Sequence, residues 1–288
     1  MRVIQKYMKK ADRIMQNNIG CIVVLFNPEK EVLQRIERYP VSISPIILID
    51  NSLSNNINMF KRIKRDDVQY YSLGENTGIA HALNVGIMKI KKSVDYVITM
   101  DQDSELTEQV SNVYYKAIKN KNERVLAPNY ETDRKKRIQA SGYNRIKLSM
   151  QSGMLFKTDV FDVVGLFDER LFLDVVDFEY CLRLGKKDIP ITRCNEAVLY
   201  HQPAQTKEKH ILFYKLRYGI APPLRYYYQA RNLLWTARKY RSIKLYELLV
   251  IKLFKIILLF DDKKKYIDYF VTGIKDANSN KLGKRDRV

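Results

Sequence analysis

The stretch YVITMDQDS, residues 96–104, decides the fold that the sequence predicts. Its first five residues, Tyr96 to Met100, are apolar or β-branched and predict a buried strand. Asp101, Gln102 and Asp103 follow without a turn residue, so both carboxylates lie at the end of that strand. Two carboxylates so placed can bind one hard divalent cation, Mg²⁺ or Mn²⁺, together with the phosphates of a substrate. The tripeptide alone also fits a polar turn, and the buried strand before it favours the metal site.

Strand-like and helix-like segments alternate on the N-terminal side of this stretch. Short β-branched runs predict strands, and apolar residues repeating every three or four positions predict helices. The alternation favours an α/β fold with a mostly parallel central sheet flanked by helices, whose ligands bind at the carboxyl ends of the strands. Asp50 directly follows one such strand, as Asp101 follows another. The predicted strands are 19–26, 45–49, 68–73 and 96–100, and the predicted helices are 29–39, 60–63 and 77–90.

The second half of the chain predicts shorter elements followed by two long helices. The elements are a strand at 151–156 and helices at 160–166, 174–184, 221–240 and 242–260. Neither an internal repeat nor a linker rich in Gly, Ser or Pro interrupts the sequence. The predicted division is an N-terminal arm or helix at 1–18, an α/β domain at 19–204 and a basic helical extension at 205–288.

The positive charge of the chain is concentrated in this C-terminal extension. The whole chain carries a formal net charge of +19, and residues 205–288 hold 20 Lys and Arg against 7 Asp and Glu. Nucleic acid and an anionic membrane are both candidate partners for such a surface, and a merely solvated basic surface is the alternative. The sequence has no zinc-finger spacing, no RNP-like motif and no basic region followed by heptads. We therefore do not expect nucleic acid as a partner.

Three further features bear on cellular location. The three cysteines form no Cys-x-x-Cys pair, which favours a reducing compartment. No apolar run approaches the roughly 18 residues of a spanning helix. The helix at 242–260 is amphipathic, with Lys244, Glu247, Lys252 and Lys255 within one arc. It either packs on the domain or lies in a membrane interface with its lysines toward the headgroups, and the surrounding positive charge favours the interface. We expect a cytoplasmic protein bound peripherally to the inner face of the plasma membrane.

Other candidate functional residues follow strands or begin helices. Asp174 and Asp177 lie at a predicted helix start, where acids either stabilise the helix or take a proton from a hydroxyl nucleophile. His201 ends an apolar run and either completes a metal site or has a structural role. The sequence Asn-Thr-Gly at 76–78 precedes a helix whose free N–H groups can bind a phosphate or sugar. The alternative there is an ordinary helix start capped by Thr77.

In this order, the motifs resemble those of glycosyltransferase family 2 with the GT-A fold, and within it those of bacterial rhamnosyltransferases. The resemblance covers roughly residues 19–201. The family motifs are CIVVLFN at 21–27, ILIDNS at 47–52, ENTGIAHALNVGI at 75–87, VITMDQDS at 97–104 and GLFDERLFLDVVDFEYCLRLG at 165–185. The narrower resemblance is carried by LDVVDFEYCLR at 173–183, RYYYQARNLLWTARKY at 225–240 and VTGIKDANSNKLGK at 271–284.

The resemblance implies a metal site and a catalytic base. Asp101 and Asp103 match the DxD motif, which binds the metal and the nucleotide diphosphate, with Asp103 as the more direct ligand. His201 stands where some GT-A enzymes complete the metal site, but the glycine that usually follows soon after is missing. Asp177 matches the acid that serves as catalytic base, and Val176 stands where most members of the family have another acid.

The resemblance also implies a binding site for the sugar donor. Asp50 matches the residue that reads the nucleotide base, and Gly153 matches the glycine beside the sugar pocket. Phe26, Asn76 and Gly78 lie in the matching motifs and are expected to line the same donor site. The expected cofactor is a divalent metal, Mg²⁺ or Mn²⁺.

The implied reaction is a single inverting displacement by an acceptor hydroxyl on a nucleotide-diphosphate sugar. The first choice of donor is dTDP-L-rhamnose, and the closest alternative is a glucosyl-, galactosyl- or galactofuranosyltransferase that uses a UDP-sugar. The expected acceptor is a glycan or a polyprenyl-linked sugar in cell-surface polysaccharide synthesis. A basic nucleic-acid-binding protein is the remote alternative, and a catalytically silent scaffold is another. Both leave Asp101, Asp103 and Asp177 without a role.

Overall fold

The computed structural model describes residues 18–134, 139–201, 205–211 and 214–285. The described strands form one sheet of eight and a separate antiparallel pair. The N-terminal arm predicted at 1–18 lies outside the described residues, except for its last residue. The strands of the large sheet are β1 (Ile19–Leu25), β2 (Ile43–Asp50), β3 (Val68–Ser72), β4 (Tyr96–Asp101), β5 (Val125–Glu131), β6 (Tyr143–Ile146), β7 (Leu155–Lys157) and β8 (Ile191–Tyr200).

The large sheet is mostly parallel, as the alternating sequence pattern predicts. Its strand order is β3-β2-β1-β4-β7-β5-β8-β6. β1 pairs in parallel with β2 and β4, β2 with β3, and β5 with β8, whereas β6 and β7 run antiparallel to their neighbours. Asp50 is in register with Leu25, and Asp101 is in register with Val24. The ends of β1, β2 and β4 therefore meet at one edge of the sheet, where the predicted ligands belong.

Helices cover both faces of this sheet. Successive residues of β1 point to opposite faces, so Ile22 and Val24 enter one apolar core while Cys21 and Val23 enter the other. Each core is completed by the apolar sides of helices, because a strand buried on both faces needs a covering layer on each. The helices are α1 (Glu31–Glu37), α2 (Ile57–Phe60), α3 (Ile79–Ile90), α4 (Glu108–Lys121), α5 (Val160–Val164) and α6 (Val176–Lys186).

The strand predicted at 151–156 is limited to β7 in the structure. Residues 151–154 form a turn in which the Met154 N–H donates to the Gln151 carbonyl at 3.0 Å. Gly153 within this turn has a φ of 82°, which an extended strand does not allow. The β-branched and apolar residues around the turn produce the strand-like pattern, but the glycine conformation ends the strand.

The helix predicted from Asp174 begins two residues later, at Val176. Asp174 and Val175 have φ values of 60° and 67°, so neither can belong to a right-handed helix. Phe172 also has a positive φ, of 63°, which makes this loop unusual among residues other than glycine. The short helix predicted at 60–63 corresponds to α2, which lies three residues earlier.

The described C-terminal part begins with an antiparallel strand pair that the sequence pattern did not predict. Three helices follow it, so the expected helical C-terminal region is confirmed. Side chains from the strand pair and the helices share one apolar cluster that includes Tyr218, Tyr226, Ile256 and Phe260. The elements are β9 (Gln205–Ile211), β10 (Tyr214–Ile220), α7 (Pro223–Tyr240), α8 (Ile243–Leu259) and α9 (Lys263–Asn278).

Two lysines of helix α8 face the interior of the protein, although the sequence predicts that they face the membrane headgroups. Lys252 and Lys255 point inward, where the Lys252 Nζ donates to Gln229 Oε1 at 2.9 Å and the Lys255 Nζ donates to the Gly219 carbonyl. The prediction that these lysines face the headgroups is therefore wrong. Among the described residues, no helix is both long enough and apolar enough to cross a bilayer. The outward face is apolar, its residues are 39–75% exposed, and it consists of Ile243, Tyr246, Val250, Ile251, Phe254, Ile257 and Leu258.

Candidate active site

A cavity of about 380 Å³ opens beside the end of β4. Asp101, Asp177 and His201 line it from the α/β part of the molecule. Arg225 of α7 and Lys252 of α8 line it from the C-terminal helices. The cavity therefore combines acidic groups from the strand ends with basic groups from the helices, and both halves of the chain are needed to form it.

Asp101, Asp103 and His201 form a group beside this cavity that can hold a metal ion. Asp101 ends β4, Asp103 lies two residues beyond it, and His201 directly follows β8. One potential ligand atom of each residue lies within 4.8 Å of the others. His201 Nδ1 is 3.2 Å from Asp103 Oδ1 and 2.8 Å from the hydroxyl of Ser104. With two carboxylates in the set, the group suits Mg²⁺ or Mn²⁺ better than a softer metal.

The electrostatics of this group also fit a cation. Burial and the charge of Asp103 raise the pKa of Asp101 to about 6, although His201 and Arg225 act in the opposite sense. Burial alone lowers the pKa of His201, but its hydrogen bond with Asp103 and the nearby carboxylates outweigh burial and raise it. Gln151 Nε2 donates to Asp101 Oδ1, while the buried Gln151 Oε1 has no hydrogen-bond partner among the described residues. Crowded carboxylates beside an unsatisfied oxygen are stabilised when a cation and a polar ligand bind there.

Asp177 is the carboxylate of the cavity whose environment suits a general base. It is the second residue of α6 and is half-buried, and its Oδ1 accepts a hydrogen bond from the Phe178 N–H at 2.8 Å. Burial is the main cause that raises the pKa of Asp177 to about 7, and the charges of Asp174 and Asp101 add to it. A carboxylate with a pKa near neutrality accepts a proton more readily than an exposed one.

Asp174, the neighbouring acid, is held in an ion pair. Arg225 Nε lies 3.0 Å from Asp174 Oδ2, and Arg225 Nη2 lies 2.5 Å from Oδ1. The amide of Asn232 donates to the carbonyls of Leu171, Leu173 and Asp174, and so fixes the loop before α6. These contacts from α7 stabilise the positive φ values of the loop and give Asp174 a structural role.

Asp50 is fully buried at the end of β2, and its carboxylate is hydrogen-bonded within the protein. Oδ1 accepts from the Ser52 N–H at 3.0 Å, while Oδ2 accepts from the Asn56 amide at 2.8 Å and from the Tyr70 hydroxyl. Burial and the bond to Asp50 raise the pKa of Tyr70 to about 12, so the hydroxyl stays protonated. The role of Asp50 in recognising a nucleotide base stays a prediction. Asn56 and Tyr70, which donate to its carboxylate, lie next to any such contact.

Phe26 lies at the same edge of the sheet, directly after β1, with its side chain about half exposed. Gln102, the middle residue of the DQD motif, makes two hydrogen bonds with the backbone of Phe26. Gln102 Oε1 accepts from the Phe26 N–H at 2.9 Å, and Gln102 Nε2 donates to the Phe26 carbonyl at 3.0 Å. The amide thus joins the ends of β1 and β4 and leaves the aromatic ring exposed for a ligand.

The N–H groups before α3 already have partners within the protein. The Thr77 N–H donates to Asn51 Oδ1 at 2.8 Å, and the Gly78 N–H donates to Asn76 Oδ1 at 3.1 Å. Gly78, with a φ of 88°, is the N-cap, and the Thr77 hydroxyl donates to Asn51 instead of capping the helix. Neither N–H is free for a phosphate in this arrangement, and the donor-site roles of Asn76 and Gly78 stay predictions.

Gly153 packs against the strands instead of lining the cavity. Its N–H donates to the Thr99 carbonyl at 2.7 Å, and its carbonyl accepts from the Tyr114 hydroxyl at 2.6 Å. A Cβ at this position would lie 2.7 Å from Leu199 Cδ2 and 2.9 Å from Pro128 Cγ. Together with its positive φ, this close approach makes glycine necessary for the turn that carries the cavity wall. A place beside a bound sugar stays a prediction for this residue.

The sequence matches the family model "Glycosyl transferase family 2" over residues 21–166, half of the chain. The chain belongs to glycosyltransferase family 2. Asp50, Asp101 and Asp103 lie within the matched segment, whereas Asp177 and His201 lie beyond it. Their place beside the same cavity follows from the structure and not from the family match.

Two relatives support the assignment to glycosyltransferases. The chain is 27% identical over 246 residues to dTDP-rhamnosyl transferase RfbF of Shigella flexneri, covering 78% of this chain and 81% of the relative. It is 20% identical over 309 residues to the low-salt glycan biosynthesis hexosyltransferase Agl10 of Haloferax volcanii, covering 97% of each. The protein is therefore an enzyme that transfers a sugar.

Solved structures show the same fold at low sequence identity. The crystal structure of GalNAc-T7 with UDP, GalNAc and Mn²⁺ superposes with a TM-score of 0.59 at 14% identity, covering 93% of this chain and 58% of that one. The structure of S. aureus TarS superposes with a TM-score of 0.54 at 12% identity, covering 91% of this chain and 44% of that one. This chain is thus shorter than either, and the likeness establishes the GT-A fold.

Three residues that line or contact the cavity of this glycosyltransferase have no site role in the sequence prediction. Gln151 begins the segment 151–156, which the sequence predicts as a strand. Its contact with Asp101 depends on the turn before β7. Arg225 belongs to a segment that resembles rhamnosyltransferases, which is the signal that could have drawn attention to it. Lys252 belongs to the charged arc that the sequence predicts to face the membrane headgroups, whereas the packing of α8 places it in the cavity.

Proposed function

We propose that this glycosyltransferase is an inverting, metal-dependent enzyme that transfers L-rhamnose from dTDP-L-rhamnose to a hydroxyl of a glycan or polyprenyl-linked acceptor. The observation that carries the proposal is that Asp101, Asp103 and His201 converge beside the cavity that Asp177 lines. Similarity to a dTDP-rhamnosyl transferase over 78% of the chain supports the choice of sugar. The reaction would serve the synthesis of a cell-surface polysaccharide.

In the proposed reaction, Asp177 accepts the proton of the acceptor hydroxyl as that oxygen attacks the anomeric carbon of the sugar. Asp101, Asp103 and His201 would hold a divalent cation, which would supply Lewis-acid stabilisation of the negative charge on the departing diphosphate. A single displacement needs one base and no covalent nucleophile, so the configuration inverts. Gln151 Oε1, buried and without a partner among the described residues, is available to accept a hydrogen bond from a sugar hydroxyl.

The donor nucleotide would lie along the ends of β1 and β2, next to the metal site. Phe26 offers its exposed ring to the base, and Asp50 binds the base directly or through Asn56 and Tyr70. Asn76 and Gly78 would line the adjoining part of the donor site where α3 begins. Gly153 would act by shaping the turn that presents residues 150 and 151 to the sugar.

A screen of nucleotide sugars tests this proposal. Purified protein is incubated with each sugar nucleotide and an acceptor, and release of nucleoside diphosphate is measured with Mg²⁺ or Mn²⁺. We expect turnover with dTDP-L-rhamnose. Turnover with UDP-glucose or UDP-galactose alone would support the second candidate, a hexosyltransferase, which similarity to Agl10 favours. Activity unaffected by excess chelator would refute the metal-dependent mechanism.

We also propose that the enzyme binds the inner face of the plasma membrane through the outward face of α8. Seven exposed apolar residues extend along the helix from Ile243 to Leu258, more than a water-facing helix normally presents. Exposed cations flank both ends of this face, Lys244 in its first turn and the three lysines at 263–265 just after its end. An apolar stripe with lysines at its ends fits an interface of anionic lipid, which binds both chemical groups.

Sedimentation with phosphatidylglycerol vesicles tests the membrane proposal. We expect binding that high salt weakens, and that the double variant Ile251→Ser/Phe254→Ser abolishes. Val41→Ser is the control, because Val41 is an even more exposed apolar residue that precedes β2 and does not belong to α8. A monodisperse dimer that the double variant dissolves, without vesicle binding, would show that a second copy covers the face. Binding of duplex DNA at physiological salt would favour the remote nucleic-acid alternative.

A further inference from the structure

Two lysines of α8, Lys252 and Lys255, line the same cavity as the candidate catalytic groups. They are three residues apart, so both side chains leave the helix on one side. The Lys252 Nζ donates to Gln229 Oε1 at 2.9 Å, and the Lys255 Nζ donates to the Gly219 carbonyl. Among the described residues, neither ammonium group has a carboxylate within ion-pair distance. Each ammonium group is therefore hydrogen-bonded to a neutral acceptor and has no ion-pair partner in this part of the structure.

An ammonium group without an ion-pair partner destabilises the folded protein where burial removes part of its water. The charges of Asp174 and Asp177 act against the effect of burial on Lys252 but do not outweigh it. Burial lowers the pKa of Lys252, and it lowers the pKa of Lys255 to about 8. Arg225, the neighbouring cation, differs because Asp174 neutralises it. These lysines are therefore costly to the fold unless an anionic ligand binds them.

The arrangement of α8 strengthens this interpretation. Exposed positions of the helix, at which lysines would be fully hydrated, are occupied by Ile251 and Phe254 instead. With Lys252 and Lys255 turned inward and large apolar residues turned outward, this part of α8 reverses the usual distribution on a surface helix. Stability alone does not favour that arrangement. Binding of an anion in the cavity gives the charges of Lys252 and Lys255 a function there.

We propose that Lys252 and Lys255 bind a diphosphate group in the catalytic cavity. An ammonium group offers three N–H donors and a full charge to phosphate oxygens, and two such groups can contact both phosphates. In the proposed reaction, the donor nucleotide carries a diphosphate, and so does a polyprenyl-diphosphate-linked acceptor. The source of the group rests on the proposed function, whereas the chemistry of the site rests on the two lysines.

The effect of a lysine substitution on the melting temperature separates a role in ligand binding from a role in the fold. Lys252→Met keeps the length of the apolar stem and removes the buried charge. If Lys252 binds a ligand, the melting temperature of the ligand-free variant stays the same or rises, because the variant no longer holds an ammonium group without an ion-pair partner. If the bond to Gln229 serves the fold, the melting temperature falls.

Calorimetric titration with inorganic pyrophosphate tests the proposal directly, first in metal-free buffer and then with Mg²⁺. We expect Lys252→Met and Lys255→Met each to weaken binding about 10- to 100-fold, the usual effect of one charge-assisted hydrogen bond. Lys264→Met is the matched control, since it removes one positive charge from the exposed start of α9 and should change binding less than about twofold. Equal affinity in the wild type and both cavity variants, or no binding by the wild type, would overturn the proposal.

Two kinetic measurements identify the source of the diphosphate. Weaker inhibition by dTDP in Lys252→Met assigns the lysines to the donor. A higher KM for a polyprenyl-diphosphate-linked glycan, with an unchanged KM for the same glycan without diphosphate, assigns them to the acceptor. If the wild type releases nucleoside diphosphate from no sugar nucleotide, the proposed function fails. Pyrophosphate binding that depends on the two lysines would then still uphold this inference.

Discussion

Replacing Asp177 by Asn is the most direct test of the proposed chemistry. The amide has the shape of the carboxylate and can still accept the hydrogen bond from the Phe178 N–H, so the start of α6 should not change. It cannot accept a proton from the acceptor hydroxyl. General-base catalysis contributes roughly 10²- to 10⁴-fold, and we expect kcat to fall by that factor. The KM for the donor should stay nearly the same, because the change removes an interaction used mainly in the transition state.

The pH dependence of the rate gives a second measure of the same residue. Burial raises the pKa of Asp177 to about 7, so the reactive, charged form is lost as the pH falls below that value. A cation bound at Asp101 and Asp103 favours the charged form and moves the inflection to lower pH. Below the inflection, the wild-type rate should fall about tenfold per pH unit. In Asp177→Asn, this dependence should be absent or much weaker.

Asp174→Asn is the control that separates a base from a structural acid. Its carboxylate binds Arg225 bidentately, so the variant loses charge-assisted hydrogen bonds worth about 1–3 kcal/mol in the free energy of unfolding. The acid limb of the pH profile should persist but move to somewhat lower pH, because the charge of Asp174 contributes to the raised pKa of Asp177. Release of nucleoside diphosphate and urea unfolding measure the two effects. A mild loss of kcat in Asp177→Asn together with a severe one in Asp174→Asn would refute our assignment of the base.

Three further predictions concern the metal site, the turn and the loop. Asp103→Ala should abolish turnover without unfolding the protein, and chelator should silence the wild type until Mg²⁺ or Mn²⁺ is restored; a fully active variant would exclude Asp103 as a ligand. Gly153→Ala should lower the free energy of unfolding by about 2–5 kcal/mol, as judged by urea denaturation, because the new Cβ meets Leu199 at a positive φ. Asn232→Ala should lower stability by about 1–3 kcal/mol and also reduce kcat, since the loop loses three hydrogen bonds from one amide; unchanged kcat would show that the loop does not position Asp177.

The sheet could be predicted from the sequence because its strands depend mainly on local pattern. The runs that form β1, β2 and β4 are buried on both faces, so they are apolar almost throughout and stand out from their surroundings. The first residue of β7 could not be predicted in this way. Its apparent beginning is a turn stabilised by hydrogen bonds to Thr99 of another strand, and no local pattern reports such contacts.

The candidate site could be predicted only in part, for a similar reason. Asp101 and Asp103 follow a recognisable strand, so their position at the sheet edge follows from the sequence. Arg225 and Lys252 reach the cavity only because α7 and α8 fold back on it, which is a tertiary arrangement. Amphipathicity shows which residues share a face of a helix, but not which face turns inward. The expectation that the lysines face the headgroups is wrong for Lys252, since the packing of α8 turns this residue toward the cavity.

Helix α8 connects the two proposals for the C-terminal part and allows them to be tested against each other. Its outer face would lie in the lipid interface, while Lys252 on its inner side reaches the cavity that Asp177 lines. A lipid-linked acceptor carries its diphosphate at the level of the headgroups, so one helix can contact both the membrane and the substrate. Leu258→Ser should therefore raise the KM for a lipid-linked acceptor in vesicles and leave the KM for a soluble glycan unchanged. An equal effect on both acceptors would show that Leu258 acts through the fold of the cavity and not through the membrane.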